Sequence, residues 1–254
     1  MSRKISESKN NRTKEPQSHS TPQTKKPPTS YNMLSKMKFE VKCKTENQKK
    51  LVNLIREKEI TICCGLAGCG KTFLACYQAL NLLKTQPDTY KKIVLVKSVT
   101  TLKEEEIGFL KGSLEEKMEP FVYSFMNNFE KIIGKVETAA LRQEGIIEVM
   151  PIAYMRGINI DEAIIIIDEV QNITIENIRT ILTRIGFNSK MIFLGDTKQI
   201  DYKNKKNSAL KFIMEQFEHL DEIGTIELTE EDVVRNPLIK KIEAIFNNLE
   251  NAKQ

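Results

Sequence analysis

The chain has 254 residues, of which 40% are hydrophobic, and it carries 39 Lys and Arg against 34 Asp and Glu. At roughly 100 to 200 residues per domain, this length corresponds to one full-sized domain with extensions or to two small ones. No stretch approaches the roughly 18 to 20 consecutive apolar residues of a membrane-spanning helix, and residues 1–28 contain no apolar signal-peptide core. The five Cys cannot all pair within one chain. These features predict a cytoplasmic protein without membrane contact.

The positive charge is concentrated in residues 1–38, which hold nine Lys and Arg against two Glu, a net charge of +7. The remaining 216 residues contain 30 basic and 32 acidic side chains and therefore carry a net charge of −2. The first segment also has few sizeable apolar residues, so it cannot bury enough surface to offset the entropy cost of ordering. We predict a disordered basic tail over residues 1–38, which fits either a nucleic-acid-binding arm or a solubilising extension.

From residue 39 onwards, short apolar runs alternate with longer helical patterns. The predicted strands include continuous apolar runs, typical of strands covered on both faces, and they span 60–64, 93–96, 146–149, 163–167, 191–194 and 225–228. The predicted helices span 46–56, 71–84, 114–133, 175–184, 208–220 and 237–249. This alternation favours an α/β fold, a three-layer domain with a mostly parallel sheet, over residues 39–254.

The first predicted strand runs into a glycine-rich segment that fits the pattern G-x-x-x-x-G-K-[ST], namely Gly65-Leu66-Ala67-Gly68-Cys69-Gly70-Lys71-Thr72. In this pattern the glycines let backbone N–H groups point at phosphate oxygens, and the following helix adds the positive end of its dipole. Lys71 is expected to reach the β- and γ-phosphates of a nucleotide, and the Thr72 hydroxyl to bind Mg²⁺. An ordinary glycine-rich turn is the structural alternative. The flanking strand and helix favour a P-loop NTPase domain that binds ATP.

The predicted strand at 163–167 ends in two carboxylates, Asp168 and Glu169. Asp168 is predicted to hold Mg²⁺, largely through water, and Glu169 to act as general base on the attacking water. Acidic pairs are common at strand ends, so this pair carries little weight alone. Beside a P-loop it indicates hydrolysis as well as nucleotide binding.

A further apolar strand opens onto Gly195, Asp196 and Gln199. Asp196 and Gln199 are candidates to sense the γ-phosphate, although an ordinary Gly-Asp turn explains the same residues. Their placement favours the functional interpretation, because the P-loop, Lys97, Asp168 and Gly195 each follow a predicted strand. These positions share the carboxyl edge of a parallel sheet, where ligands bind in open α/β folds.

These motifs, in this order, resemble those of the PhoH family of P-loop ATPases over residues 48–246. The further segments that carry the resemblance are 108–120, 151–157, 182–189, 232–235 and the Asp-Glu-Val-Gln-Asn run at 168–172. One departure is Lys97-Ser98, where the family has Arg-Pro, so that a planar guanidinium is replaced by a compact ammonium charge. This departure changes the phosphate or strand contacts expected near Lys97 and leaves the ATPase motifs intact.

The PhoH family is similar to the ATPase core of superfamily 1 helicases, and its members are described as cytoplasmic ATPases associated with RNA metabolism. The resemblance implies that Gln48 contacts adenine and that Gln171 and Gln199 couple the phosphate state to a nucleic-acid surface. It also implies that Arg235 or Arg184 serves as an arginine finger. A superfamily 1 helicase takes this arginine from a second motor domain, for which the present chain is too short. We therefore expect a homo-oligomer, with a hexameric ring as one form, in which at least one Arg acts in trans.

Two side-chain groups have alternative interpretations. The Lys residues after Gly195 form either a strand-binding edge or a solvated loop, and they are Lys198, Lys203, Lys205 and Lys206. Four of the Cys residues cluster around the P-loop and are expected to be buried small hydrophobes, namely Cys63, Cys64, Cys69 and Cys76. Of these, only Cys69 is considered as an oxidisable thiol.

The sequence thus predicts a Mg²⁺-dependent ATPase that converts ATP to ADP and phosphate and is coupled to binding or remodelling of RNA or single-stranded DNA. The expected catalytic residues are Lys71, Glu169, Gln199 and Arg235. The alternative is an ATP-dependent switch that regulates a protein partner without moving nucleic acid.

Overall fold

The computed structural model describes residues 29–97, 114–196 and 208–234. Its strands are β1 Ile60–Gly65, β2 Lys92–Lys97, β3 Ile147–Val149, β4 Ala163–Asp168, β5 Lys190–Gly195 and β6 Ile223–Leu228. They form one sheet in the order β3-β2-β4-β5-β1-β6, and all five pairings are parallel. Each predicted strand is present, with its ends within two residues of the prediction.

The helices within the described ranges are α1 Thr29–Lys36, α2 Glu46–Glu57, α3 Lys71–Thr85, α4 Leu114–Ile133, α5 Lys135–Gln143, α6 Ile175–Leu182 and α7 Ala209–Phe217. Short 3-10 turns span Ile152–Met155, Val170–Asn172 and Glu230–Asp232. Helix α5 was not predicted, because its nine residues bury only Thr138 and Leu141 and so give a weak pattern. The predicted helix at 237–249 lies outside the described residues.

Helices cover both faces of the sheet, as the three-layer prediction requires. Successive strand residues point to opposite faces, so that Cys63 and Ile166 pack in one cluster with side chains of α2, α3, α4 and α5. Cys64 and Ile167 pack in a second cluster with side chains of α6 and α7. Every residue of β4 and β5 is buried, which explains the continuous apolar runs in the sequence.

Helix α1 corrects the prediction that residues 1–38 are disordered, since residues 29–36 are helical. Tyr31 and Leu34 lie three residues apart, on one face of the helix. Leu34 is fully buried, and the Tyr31 hydroxyl donates to the carbonyl oxygens of Leu83 and Tyr90, at 2.9 and 2.6 Å. Burial against the domain, which composition alone does not reveal, offsets the entropy cost of ordering this short segment.

The strand ends meet at one edge of the sheet, because the strands are parallel and in register. Lys97 pairs with Asp168, Cys64 with Gly195, and Gly65 with Leu228. The predicted ligand-binding positions therefore share this carboxyl edge. Among the described helices, none combines the length and the apolar character needed to cross a bilayer.

Candidate functional site

A cavity of about 620 Å³ opens at the carboxyl edge of the sheet, within the size range typical of small-molecule sites. The P-loop, the acidic pair after β4 and the Gly-Asp pair after β5 all contribute to its wall. The lining includes Ala67, Gly68, Gly70, Lys71, Thr72, Asp168, Glu169, Gly195 and Asp196, with Lys42, Lys44, Gln48, Asn128, Lys131 and Val234 around them. Three motifs that are distant in the chain, from Ala67 to Asp196, thus surround one space.

The P-loop wraps around its own lysine. Gly68 and Gly70 both have a φ of +88°, a left-handed conformation that glycine adopts at little cost. Lys71 is 9% exposed, and its ammonium group donates to the carbonyl oxygens of Gly65 and Leu66. Because Lys71 is also the first residue of α3, the loop combines a fixed cation with a helix N-terminus, a combination suited to phosphate.

Thr72 and Asp168 meet on the next side of the cavity. The Thr72 hydroxyl donates to Oδ2 of Asp168 across 3.1 Å, and Asp168 is 7% exposed. A hydroxyl oxygen and a carboxylate oxygen are hard ligands of the kind that Mg²⁺ prefers. The two residues therefore fit the predicted metal, and together they would hold it between the P-loop and β4.

Gln171 ties the two remaining motifs together. Its Nε2 donates to Oε2 of Glu169 at 2.7 Å, and its Oε1 accepts from the backbone N–H of Asp196 at 3.1 Å. Glu169 has a φ of +59°, which turns the chain sharply after β4. A side chain at Gly195 would bring its Cβ within 2.8 Å of Gln171 Oε1, so that this glycine makes room for the bridge.

Gln48 lies at the cavity, but its amide is bonded to protein groups. Its Oε1 accepts from the Lys44 N–H at 2.7 Å, and its Nε2 donates to the carbonyl oxygen of Cys69 at 3.0 Å. Gln48 is 4% exposed. In this structure it braces the P-loop, and its contact with adenine stays a prediction.

Two predicted catalytic residues, Gln199 and Arg235, lie outside the described residues. Val234, which precedes Arg235 in the chain, donates its N–H to the carbonyl oxygen of Gly68 at 3.2 Å. The loop lysines 198, 203, 205 and 206 are also outside the described ranges. Arg184 lies elsewhere, in the turn before β5, where its carbonyl oxygen accepts from the Ile160 N–H at 3.0 Å.

The prediction that the P-loop cysteines are buried hydrophobes is confirmed. Cys63, Cys69 and Cys76 are fully buried and Cys64 nearly so. Burial raises the pKa of the Cys69 thiol, an effect that the nearby Lys71 cation only partly opposes. Because oxidation proceeds through the thiolate, this environment disfavours the oxidisable-thiol alternative.

Sequence reasoning assigned no role to Asp232, although it belongs to a quoted motif. The structure places it in the turn after β6, 1% exposed, with hydrogen bonds from Thr45, Asn47 and Thr229. Burial alone would raise the pKa of Asp232, but these hydrogen bonds more than offset that effect and lower it. Asn128 and Lys131 also line the cavity from α4, and no pattern in the sequence indicated them.

The fold and the site define a P-loop nucleotide-binding domain. A family model described as PhoH-like protein matches residues 40–247, and the chain belongs to the PhoH family. The PhoH-like protein of Bacillus subtilis (strain 168) is 39% identical over 202 residues, which cover 80% of this chain and 62% of the relative. Protein PhoH of Escherichia coli (strain K12) is 31% identical over 203 residues, which cover 78% of this chain and 56% of the relative.

The chain therefore spans about three-fifths of the length of such relatives. Among solved structures, Bacteroides sp Pif1 in complex with ADP-AlF4 matches with a TM-score of 0.36 and 17% identity, over 83% of this chain and 46% of that one. This similarity is too low for the two sites to be compared residue by residue.

Proposed function

We propose that this chain is a Mg²⁺-dependent ATPase that hydrolyses ATP to ADP and phosphate and is coupled to RNA or single-stranded DNA. The observation that carries the proposal is the convergence of Lys71, Thr72 and Glu169 on one cavity. A binding module needs only the first two of these groups. A carboxylate held beside them supports hydrolysis as well.

Each residue has a distinct part in this reaction. Lys71 exchanges its bonds to the Gly65 and Leu66 carbonyl oxygens for bonds to the β- and γ-phosphates. Thr72 and Asp168 would hold Mg²⁺, which would neutralise charge on the phosphate oxygens. Glu169 accepts the proton of the attacking water through its Oε1, since Gln171 occupies Oε2. The bond between the γ-phosphorus and the bridging oxygen of ADP breaks as the new P–O bond forms.

Three further residues act around this step. Asp196 and Gln199 sense the γ-phosphate, and Arg235 stabilises the transition-state charge.

Coupling to nucleic acid is supported by the chain segment that follows the cavity. Asp196 lines the cavity, and Lys198 follows it two residues later in a run that also contains Lys203, Lys205 and Lys206. Lysines neutralise backbone phosphates without reading sequence. Such a segment would make the binding of single-stranded RNA or DNA depend on whether the γ-phosphate is present.

Steady-state ATP hydrolysis with and without single-stranded RNA and DNA tests the proposal. We expect hydrolysis that EDTA abolishes and that one or both strands stimulate. Glu169→Gln should lower kcat by about 10²- to 10⁴-fold, the usual contribution of general-base catalysis, while ATP still binds. Glu162→Gln is a matched control, because Glu162 also has a positive φ, of 52°, but precedes β4 at the opposite edge of the sheet.

The outcomes separate the two candidate functions. If Glu169→Gln hydrolyses ATP normally, the assignment of the general base is wrong. If ATP is hydrolysed at a rate indifferent to both strands, the ATP-dependent switch acting on a protein partner becomes the better description.

A further inference from the structure

Asp232 is a buried carboxylate that gathers donors from distant parts of the chain. Its oxygens accept hydrogen bonds from the Thr45 hydroxyl, from Asn47 Nδ2 at 3.0 Å and from the Thr229 N–H at 2.7 Å. A buried charge is costly unless hydrogen bonds compensate it. Two of the donors, Thr45 and Asn47, lie at the start of α2, where the helix dipole also favours a negative group.

The same segment is tied to the P-loop through main-chain groups. Gln48 Nε2 donates both to the carbonyl oxygen of Cys69, at 3.0 Å, and to that of Asp232, at 3.4 Å. Two residues further on, the Val234 N–H donates to the carbonyl oxygen of Gly68 at 3.2 Å. The start of α2, the P-loop and the turn after β6 thus form one hydrogen-bonded unit, which we call the Asp232 clasp (Thr45, Asn47, Gln48, Asp232).

The clasp acts on the glycine-rich part of the P-loop, around residues 68 to 70. Gly68 and Gly70 are both in the left-handed region and carry no side chains that could pack. Glycine loses more conformational freedom on ordering than any other residue. Ties to the carbonyl oxygens of residues 68 and 69 therefore help to orient the adjacent backbone N–H groups before a phosphate arrives, which lowers the entropy cost of binding.

We propose that Asp232 is a positioning residue for nucleotide binding, which through Gln48 and Val234 holds the P-loop in its phosphate-binding conformation. Asp232 does not itself line the cavity, whereas Gln48, Gly68 and Val234 do. The inference rests on the proposed function, in that the ligand is ATP with Mg²⁺. It goes further by assigning the anchor of the binding loop to a residue in the turn after β6.

Equilibrium binding of Mg²⁺-ATP by the full chain tests this inference, in a Glu169→Gln background that prevents turnover. We expect Asp232→Asn to weaken ATP binding by about tenfold. Loss of hydrogen bonds to a charged group changes an equilibrium constant by about this factor. Glu231→Gln, in the same turn but exposed, should bind as the background does. Asn47→Ala removes one donor and should weaken binding by a few fold in the same direction.

A destabilised control separates positioning from general loss of stability. Phe129 is fully buried and does not line the cavity, so Phe129→Leu should lower the Tm and leave ATP affinity unchanged. Asp232→Asn and Gln48→Ala should be non-additive in their effect on affinity, because the carboxylate of Asp232 and the amide of Gln48 belong to one hydrogen-bonded unit around the start of α2.

Unchanged affinity in Asp232→Asn, or equal weakening in Phe129→Leu, would overturn the inference. If Asp232→Asn does not fold, Asn47→Ala decides the question by the same criterion. Failure of the unsubstituted chain to bind ATP would instead refute the proposed function.

Discussion

At the scale of single residues, Gln171 joins two motifs that the sequence presents separately. One amide group contacts the candidate general base, Glu169, and the backbone of the candidate phosphate sensor, Asp196. Gln171 is 1% exposed, so water competes little for these bonds. A change at the end of β5 would therefore reach Glu169 through a single side chain.

We expect Gln171→Ala to lower kcat by about tenfold, because an oriented hydrogen bond to a charged group contributes about 1.5 kcal/mol or more. The Kd for ATP should change by less than about twofold, since Gln171 acts on the general base and not on the phosphate loop. Phosphate release and equilibrium ATP binding measure the two quantities. Gln78→Ala is the control, because Gln78 is 2% exposed on α3 but has no bond to Glu169.

A rise in the Kd with unchanged kcat would contradict this role. Gly195→Ala provides an independent check from the other side of the bridge. Its Cβ would lie 2.8 Å from Gln171 Oε1 and 2.7 Å from Leu210 Cδ2, so the bridge must shift. We expect it to lower kcat in the same way as Gln171→Ala.

At the scale of elements, α1 contacts the domain through the buried Leu34, the Tyr31 hydroxyl and the Ser30 N–H, which donates to the Glu144 carboxylate. Burial, with a smaller contribution from the charge of Asp88, raises the pKa of Tyr31 to about 12 from an ordinary value of 10.0. Between these two pH values the unfolded chain loses the Tyr31 proton while the native chain retains it. The free energy of unfolding therefore falls as the pH rises through this window.

Urea unfolding at pH 8, 10 and 11 checks this linkage. At pH 8, Tyr31→Phe should be less stable than the unsubstituted chain by about 1 kcal/mol, the usual net contribution of a hydrogen bond. Between pH 10 and 11 it should lose less stability than the unsubstituted chain, because it lacks the titrating group. Tyr123→Phe is the control, since Tyr123 is 71% exposed on α4; the same pH slope in both variants would show that the Tyr31 hydroxyl is not held as described.

At the scale of the whole molecule, the two candidate arginine fingers differ in where they come in the chain relative to the elements around the cavity. Arg235 follows Val234, which contacts the P-loop of its own chain. Arg184 precedes β5, at the opposite edge of the sheet, and a six-residue strand spans about 20 Å. Arg184 could therefore reach a nucleotide only from a neighbouring subunit.

Mixing two inactive variants tests the expected ring, in which one subunit completes the site of the next. In an equal mixture of Arg235→Ala and Lys71→Ala chains, about a quarter of head-to-tail interfaces combine an intact Lys71 with an intact Arg235. We expect ATP hydrolysis to recover to about that fraction of the unsubstituted rate. The same mixture with Arg184→Ala in place of Arg235→Ala tests the second candidate.

Arg179→Ala is the control for both mixtures, since Arg179 is exposed on α6 and should leave hydrolysis unchanged when assayed alone. A mixture that is no more active than its two components would exclude a shared site for that arginine. Size-exclusion chromatography with light scattering then gives the number of subunits.

The parts of the site that sequence could predict are those in which spacing itself is the constraint. The P-loop pattern requires glycines, Lys71 and Thr72 at fixed intervals between a strand and a helix, and the structure contains that arrangement. The contacts of Gln171 and Asp232 have no fixed spacing in the sequence. Asp232 meets Asn47 across 185 residues, and no local pattern specifies that pairing.

By itself, the sequence determined the α/β alternation, the strand positions and the P-loop motif, because these depend on local periodicity and on backbone freedom at a few glycines. Only the tertiary structure decided that residues 29–36 are helical, that Gln48 braces the P-loop and that Asp232 is buried. These features depend on burial and hydrogen bonding between segments distant in the chain. The free energy that stabilises them arises only when the packed sheet brings those segments together.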